Sequence, residues 1–354
     1  MNNSLDIKIQ KTENSRLKDF DPSNLKFGHT FSDHIFVADY KDGEWSDLRI
    51  VPFDDFSISP ANSALHYGQS IFEGMKAFKN KDEEILLFRP EMNAKRFNNS
   101  AERMCMAQVP EELFLKAIKE LLKVDEEWIP ETPGSSMYIR PFMFATDNFL
   151  GVRPSETYKF VVINSPSGPY YADPVRVKIE TEFTRAAKGG TGSAKTAGNY
   201  AGSLYPAQQA KKEGFDQLIW TDGATHSFVE EAGTMNVMFL IDGKLRTTPL
   251  TSTILPGVTR DSVLQLAKHW DVPVEEAPVK VDEVIKAAKE GRLQDAFGVG
   301  TAATIAHIKE IGFEDQLYTL PNVEKREFSS RLRDYLEDVK RGKIEDEHNW
   351  ITKF

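Results

Sequence analysis

Ser193-Ala194-Lys195-Thr196-Ala197-Gly198-Asn199-Tyr200 sets one lysine among small residues, at the end of a polar, glycine-rich stretch that begins at Lys188. The alanines and glycine around Lys195 leave room for a flat group beside its amine. Taken alone, a lysine in such a loop reads as a solvated side chain. The run Gly189-Gly190-Thr191-Gly192-Ser193-Ala194-Lys195 has a superficial likeness to a phosphate-binding P-loop. Its glycines are wrongly spaced and Thr196 follows a different loop, so nucleoside triphosphate binding is not expected. Working outward, six further segments put polar residues inside apolar or glycine-rich surroundings. They are LHYGQSIFEGMK (65–76), Phe88-Arg89-Pro90 with NAKRF (93–97), MYIRP (137–141), VEEAGTMN (229–236), ILPGVTR (254–260) and FGVGTAA (297–303).

Composition limits the remaining choices. The chain has 354 residues, 40% hydrophobic and 28% charged, which suits two domains with sizeable cores. A net charge of −10 argues against a general nucleic-acid binder, while leaving room for a local basic pocket. The longest unbroken apolar run, Val237 to Ile241, is too short for a membrane span. Met1 to Asp21 is polar with no apolar signal core, and Cys105 is the one cysteine, so a cytoplasmic protein without disulfides is expected. Cys105 lies between methionines and reads as a buried structural thiol. The seven histidines show no zinc spacing, and no metal site is expected; His29 and His34 read as packing or surface polarity. There is no GxSxG nucleophile elbow.

The pattern along the chain predicts a mixed α+β protein. Residues 1–26 form a polar N-terminal segment expected to be poorly ordered until it meets the body. Asp42-Gly43 is a hairpin turn signal between Ile35-Phe36-Val37 and Leu48-Arg49-Ile50-Val51. Strands are also predicted at 85–88, 137–144, 158–163, 175–179, 218–220 and 237–241. Leu113, Phe114, Ala117, Ile118, Leu121 and Leu122 share one face of a helix over 111–123. Further helices are predicted at 202–213, 259–270, 281–290 and 329–339. The cluster Asn164-Ser165-Pro166-Ser167-Gly168-Pro169 marks a break in pattern. The domains are therefore drawn as a small α+β domain at 27–163, a connector at 164–175 and a large domain at 176–354. Mixed sheets with helices packed outside suit this order better than a regular βαβ array.

At FEGMK, SAKTAGNY, EEAGTMN and ILPGVTR, in this order, the sequence resembles the branched-chain amino-acid aminotransferases, which are fold-type IV pyridoxal-phosphate enzymes. The resemblance runs from about Phe27 to the helix near 339. It implies the two-domain, D-amino-acid aminotransferase-like α+β fold, with the cofactor held by the large domain, and a homodimer. It implies transfer of the amino group of L-leucine, L-isoleucine or L-valine to 2-oxoglutarate by a ping-pong route serving biosynthesis or breakdown. It makes Lys195 the catalytic lysine that binds pyridoxal 5′-phosphate covalently, since only a primary amine can leave the cofactor and then carry a proton between the substrate Cα and C4′. Glu231 becomes the partner of the pyridine nitrogen; neighbouring Glu230 would point to the opposite face of a strand and suits a surface salt bridge. Arg96, Thr301 and the N–H groups at Val258 and Thr259 would hold the phosphate, and Tyr200 the phenolic oxygen. Phe27, Tyr67, Phe72, Tyr138, Arg140, Tyr170, Thr234 and Ala302 fall on the substrate side. Tyr138 is the main host for the carboxylate of glutamate, with Arg140 acting directly or through Tyr67. Lys76 and Arg89 read as structural or rim charges.

The chain departs from mammalian members at Ala303-Thr304-Ile305-Ala306, where they carry a redox-sensitive CxxC. Within the same fold type, D-amino-acid aminotransferases and aminodeoxychorismate lyases also carry a lysine and a cofactor-facing glutamate and are the alternative readings. From the residues alone, a small-anion hydrolase using Lys195 and Glu231, or a non-catalytic binding protein, also stays open.

Overall fold

The computed structural model describes residues 5–171 and 173–354 and divides the chain into two units, with mixed α+β structure in each. The first unit holds Met1–Tyr170, Ala194–Ala197 and Val339–Phe354. Its strands and helices are β1 (Lys8–Ile9), β2 (His34–Lys41), β3 (Glu44–Pro52), α1 (Ser63–Tyr67), β4 (Ser70–Phe72), β5 (Met75–Lys79), β6 (Ile85–Phe88), α2 (Pro90–Arg103), α3 (Glu111–Val124), β7 (Ser136–Ala145) and β8 (Tyr158–Ser167), with a C-terminal strand, Ile351–Lys353. They form a nine-stranded sheet in the order β1-β3-β2-β8-β7-β5-β6 and then Ile351–Lys353, with β4 on β7. Asp42 and Gly43 turn the β2–β3 hairpin with φ of 53° and 87°, the left-handed pair a tight two-residue turn requires. The six apolar positions of α3 are all buried. With Phe97 of α2, Phe114 stacks on Phe160 of β8 to build the core on one face of the sheet.

Four expectations for this unit need correction. The N-terminal segment is docked: Leu5, Ile7, Leu17 and Phe20 pack on the core, and Arg16 bonds Asp33. A few apolar residues in a polar stretch are enough to anchor it. The connector begins later than 164, because β8 runs on to Ser167, paired with β7 throughout. Past Ile163, β8 has no ladder partner on β2, so the missing N–H of Pro166 costs no strand pairing. Val339–Phe354 belongs to the first unit, since Ile351–Lys353 pairs with β6 and Trp350 packs edge-on against Phe88. Cys105 is exposed, in a left-handed turn (φ 52°) after α2. His34 is buried: its Nε2 accepts from Thr12 N, so its Nδ1 carries the proton and donates to Asp125 at 2.6 Å.

The second unit holds Tyr171–Ser193 and Gly198–Asp338. Its elements are β9 (Val175–Ile179), α4 (Ala197–Ala201), α5 (Leu204–Lys212), β10 (Gln217–Thr221), β11 (Phe228–Ala232), β12 (Met235–Ile241), β13 (Lys244–Thr247), α6 (Val258–His269), β14 (Val274–Glu276), β15 (Val279–Lys280), α7 (Val281–Lys289), β16 (Leu293–Gly300), β17 (Thr304–Phe313), β18 (Gln316–Thr319) and α8 (Glu327–Lys340). The strands β12-β16-β17-β9-β10-β11 form a ring, closed by the pairing of β11 with β12. Within the ring only β9 runs parallel to its neighbours, so the βαβ pattern is minor here. Val177, Ile219, Val237, Phe239 and Ile308 belong to the core of this unit. Among the described residues no helix is long and apolar enough to cross a membrane.

Candidate active site

In the first unit the expected residues gather where β4, the start of β5, β7 and the Ala194–Ala197 segment meet. Thr196 forms a bridge with Ile71 and donates its hydroxyl to Ser70 O; Phe72 N donates to Lys195 O at 3.0 Å. Lys195 N donates to Ser100 Oγ at 2.9 Å. Its half-buried side chain carries Nζ 4.8 Å from the centre of the Phe72 ring. Backbone bonds on both sides therefore hold this lysine, and it is not a solvated loop residue. Tyr138 and Arg140, alternate residues of β7, share a face. Arg140 Nη2 donates to the Tyr138 hydroxyl at 2.9 Å, and its guanidinium covers the Phe72 ring at 4.6 Å. Phe27 packs edge-on against both Tyr138 (4.7 Å) and Tyr170 (4.9 Å). Arg140 thus meets Tyr138 directly. Tyr67 is exposed and lines another cleft of this unit, with Ser63, Gln69, Met104 and Val152.

Arg96 is buried on α2 and forks onto a residue with no assigned role. Its Nε donates to Glu73 Oε1 at 2.7 Å and its Nη2 to Glu73 Oε2 at 2.8 Å. Burial pushes the Glu73 carboxyl up, but the charge and hydrogen bonds of Arg96, with Lys195 and Asn93, outweigh it and hold it below its usual range. Arg89 lies over the Trp350 ring at 5.4 Å, a packing role as expected.

In the second unit Glu231 is buried on β11, paired in register with Asn236 of β12. Arg185 forms an ion pair with its carboxylate. Asn236 Nδ2 donates to Glu231 Oε1 at 2.7 Å, and Leu255 N donates to the same oxygen at 3.2 Å. Asn236 also donates to Leu255 O at 2.9 Å, tying the carboxylate to the loop ahead of α6. Tyr200, Glu231 and Thr234 line one small cavity with Arg185, Asn199, Ser203, Gly233 and Leu255. Arg185 Nε is buried without a partner. Glu230 is buried as well, not at the surface; burial pushes its carboxyl up. Val258 and Thr259 open α6, whose N-cap is Gly257, so no side chain caps its first N–H groups. Thr301 and Ala302 sit half-buried in the turn from β16 to β17.

Reasoning from sequence missed Glu73, Arg185 and Asn236. Two of them stand inside quoted motifs, FEGMK and EEAGTMN, where a charged or amide side chain in an apolar run was the available signal. Arg185 stands outside every motif.

The chain matches the amino-transferase class IV family over residues 70–311. It is 46% identical over 351 residues to branched-chain-amino-acid aminotransferase 2 of Bacillus subtilis (strain 168), covering 98% of this chain and 96% of the relative. The crystal structure of the Escherichia coli branched-chain amino acid aminotransferase matches with a TM-score of 0.73 at 25% identity, covering 90% of this chain and 98% of that one. A branched-chain amino acid aminotransferase from T.th., solved with pyridoxamine 5′-phosphate, matches with a TM-score of 0.71 at 25% identity, over 89% of this chain and 97% of that one. With near-complete coverage in sequence and fold alike, the chain belongs to the class IV aminotransferases, in the branched-chain-amino-acid aminotransferase family.

Proposed function

We propose that the protein is a pyridoxal 5′-phosphate-dependent transaminase that moves the amino group of L-leucine, L-isoleucine or L-valine reversibly to 2-oxoglutarate, giving branched 2-oxo acids and L-glutamate. The observation that carries this reading is the buried Glu231 carboxylate, paired with Arg185, bonded by Asn236 and lining a cavity with Tyr200. That donor set fits the cofactor: an anion for a protonated pyridine nitrogen, a phenol for its ring oxygen, an uncapped helix start for its phosphate and a lysine for its aldehyde.

When bound, the cofactor supplies an electron sink for the charge left as the Cα proton departs. Lys195 would hold the cofactor through its amine and, once freed by the substrate amine, would be the base that takes the Cα proton. Glu231, paired with Arg185, would keep the pyridine nitrogen protonated. Arg96, Thr301, Val258 and Thr259 would each offer donors to the phosphate, and Tyr200 a hydroxyl to the phenolic oxygen. Phe27, Phe72 and Tyr170 offer apolar area to a branched side chain; burying four carbons is worth about 3 kcal/mol at ~0.8 per CH₂. Tyr138, with Arg140 behind it, offers a hydroxyl to the side-chain carboxylate of glutamate. Tyr67, Thr234 and Ala302 complete the substrate side. The same residues would serve 2-oxoglutarate, the acceptor of the amine, in the return direction.

The reading includes a cytoplasmic homodimer. Phe149, Leu150 and Val152 are exposed together, 46%, 67% and 89%, an apolar surface that a second copy would cover. Relatives 40–46% identical that carry the branched-chain name, such as the one from Mycolicibacterium smegmatis, weigh against the D-amino-acid aminotransferase and lyase readings.

The test is the visible spectrum of the holoprotein before and after L-leucine, with D-alanine as the contrast. A yellow band that L-leucine discharges and D-alanine leaves alone is expected, with no such band in Lys195→Ala. A band that answers only to D-alanine would turn the reading to the D-specific rival.

A further inference from the structure

We infer that Glu73 is a positioning residue for the cofactor phosphate: it locks the plane and reach of the Arg96 guanidinium and ties that arginine to the lysine segment. The inference rests on the aminotransferase reading and on Arg96 as a phosphate donor. Glu73 follows directly on β4 and is 0% exposed. A carboxylate so buried persists only when both oxygens are satisfied by charge and hydrogen bonds. Both are. Oε1 accepts from Arg96 Nε at 2.7 Å, and Oε2 accepts from Arg96 Nη2 at 2.8 Å, Asn93 Nδ2 at 2.7 Å and Gly74 N at 3.1 Å.

Asn93 and Arg96 stand three residues apart on α2, so one carboxylate meets both from a single face. The side-on fork engages Nε and Nη2 and fixes the plane in which the remaining guanidinium N–H donors lie. A phosphate needs those donors held still. The same helix reaches the lysine: Ser100 Oγ donates to Arg96 O at 2.9 Å and accepts from Lys195 N at 2.9 Å. Phe72 N, one residue before Glu73, closes the circuit by donating to Lys195 O at 3.0 Å. Glu73 thus stands in one hydrogen-bonded loop with both groups that grip the two ends of the cofactor. The negative charge of Glu73 by itself opposes phosphate binding, so its contribution there is geometric and passes through Arg96.

The experiment compares dissociation constants for pyridoxal 5′-phosphate and for pyridoxal, which lacks the phosphate, in the full-length apoprotein. The proteins are the wild type, Glu73→Gln, Glu73→Asp, Arg96→Lys and the Glu73→Gln/Arg96→Lys double variant, each with a thermal melt. Glutamine puts an N–H₂ where donors converge, and aspartate draws the carboxylate back by one methylene; either breaks the fork. The expected result is a drop of about tenfold in the preference for the phosphorylated form in both Glu73 variants. Pyridoxal binding stays within about twofold, and the double variant loses no more preference than Arg96→Lys alone. An unchanged preference in folded Glu73 variants overturns the inference, as does loss of the melting transition in both, which would make Glu73 a folding group. If Arg96→Lys itself leaves the preference unchanged, the assignment of Arg96 falls and the inference with it. If the wild type binds neither aldehyde, the aminotransferase reading fails, a result distinct from all of these.

Discussion

At Tyr138 the hydroxyl accepts from Arg140, and Gly74 gives it space: a Cβ there would lie 2.2 Å from the phenolic oxygen. The arrangement gives one pocket two characters. On the proposed reading a leucine side chain would meet aromatic carbon, whereas a glutamate carboxylate would meet a hydroxyl whose oxygen is already polarised by a guanidinium. Replacing Tyr138 by Phe is therefore expected to raise KM for 2-oxoglutarate about tenfold, the loss of one charge-supported hydrogen bond. The L-leucine half-reaction, followed by stopped-flow absorbance, changes by no more than about twofold. An equal loss in both would assign Tyr138 to packing alone. At this scale MYIRP singled out Tyr138 and Arg140, and the period of a strand already puts 138 and 140 on one face. The partner of Arg140 was not legible, nor was the pairing of Glu73 with Arg96 across 23 positions. A charged residue in a sequence announces that it needs a partner, not which one it meets.

The turn between β11 and β12 and the start of α6 work as one device. Asn236 on β12 bonds Glu231 on β11 and Leu255 before α6, and Gly257 leaves its amide room: a Cβ at Gly257 would lie 2.1 Å from Asn236 Oδ1. Gly257→Ala must displace the Asn236 side-chain amide from its bonds, a packing misfit costing about 1–3 kcal/mol. The expected readouts are a melting temperature lowered by several degrees and a cofactor dissociation constant raised several-fold, measured by fluorescence titration. Unchanged cofactor affinity would separate the glycine from the site. Among elements, α3 was legible because its six buried positions repeat at helical spacing, and α6, α7 and α8 fell within two residues of their expected bounds. Asn164–Ser167 was misread because a proline breaks a strand only where a neighbouring strand needs the N–H it lacks. There, β8 has ladder partners on one side only.

For the molecule as a whole, buried ionisable groups set the response to acid. His307 on β17 is held neutral: burial, then the charges of Arg333 and Arg326, lower its pKa to about 4, with Asp334 opposing. The folded value lies below the unfolded 6.5, so the fold binds fewer protons than the unfolded chain. This contribution to stability is complete above about pH 6.5 and is lost as pH falls towards 4. Asp295 and Glu230 have the opposite sign: burial raises both, so their contribution is present below their unfolded values and is lost as pH rises through the folded ones. His307→Gln isolates the first effect. The drop in melting temperature between about pH 7 and about pH 4.5 is expected to shrink by a few degrees relative to the wild type, read by calorimetry at matched ionic strength. An identical drop in both proteins would assign the acid response to other groups.

Short-range information carried the mixed α+β class, the hairpin at Asp42-Gly43, the long amphipathic helices and the motifs around Lys195, Glu231 and Arg96. Propensity, periodicity and local turn geometry act within a dozen residues, and the sequence by itself determined these features. Only the tertiary structure decided that Val339–Phe354 returns to the first unit, that β11 and β12 close a ring, that Glu73 meets Arg96 and that Arg185 and Asn236 meet Glu231. Each of these rests on strand pairing or on the burial of a charge among groups distant in sequence. Such contacts are set by which surfaces must be buried together, a condition that no single segment contains.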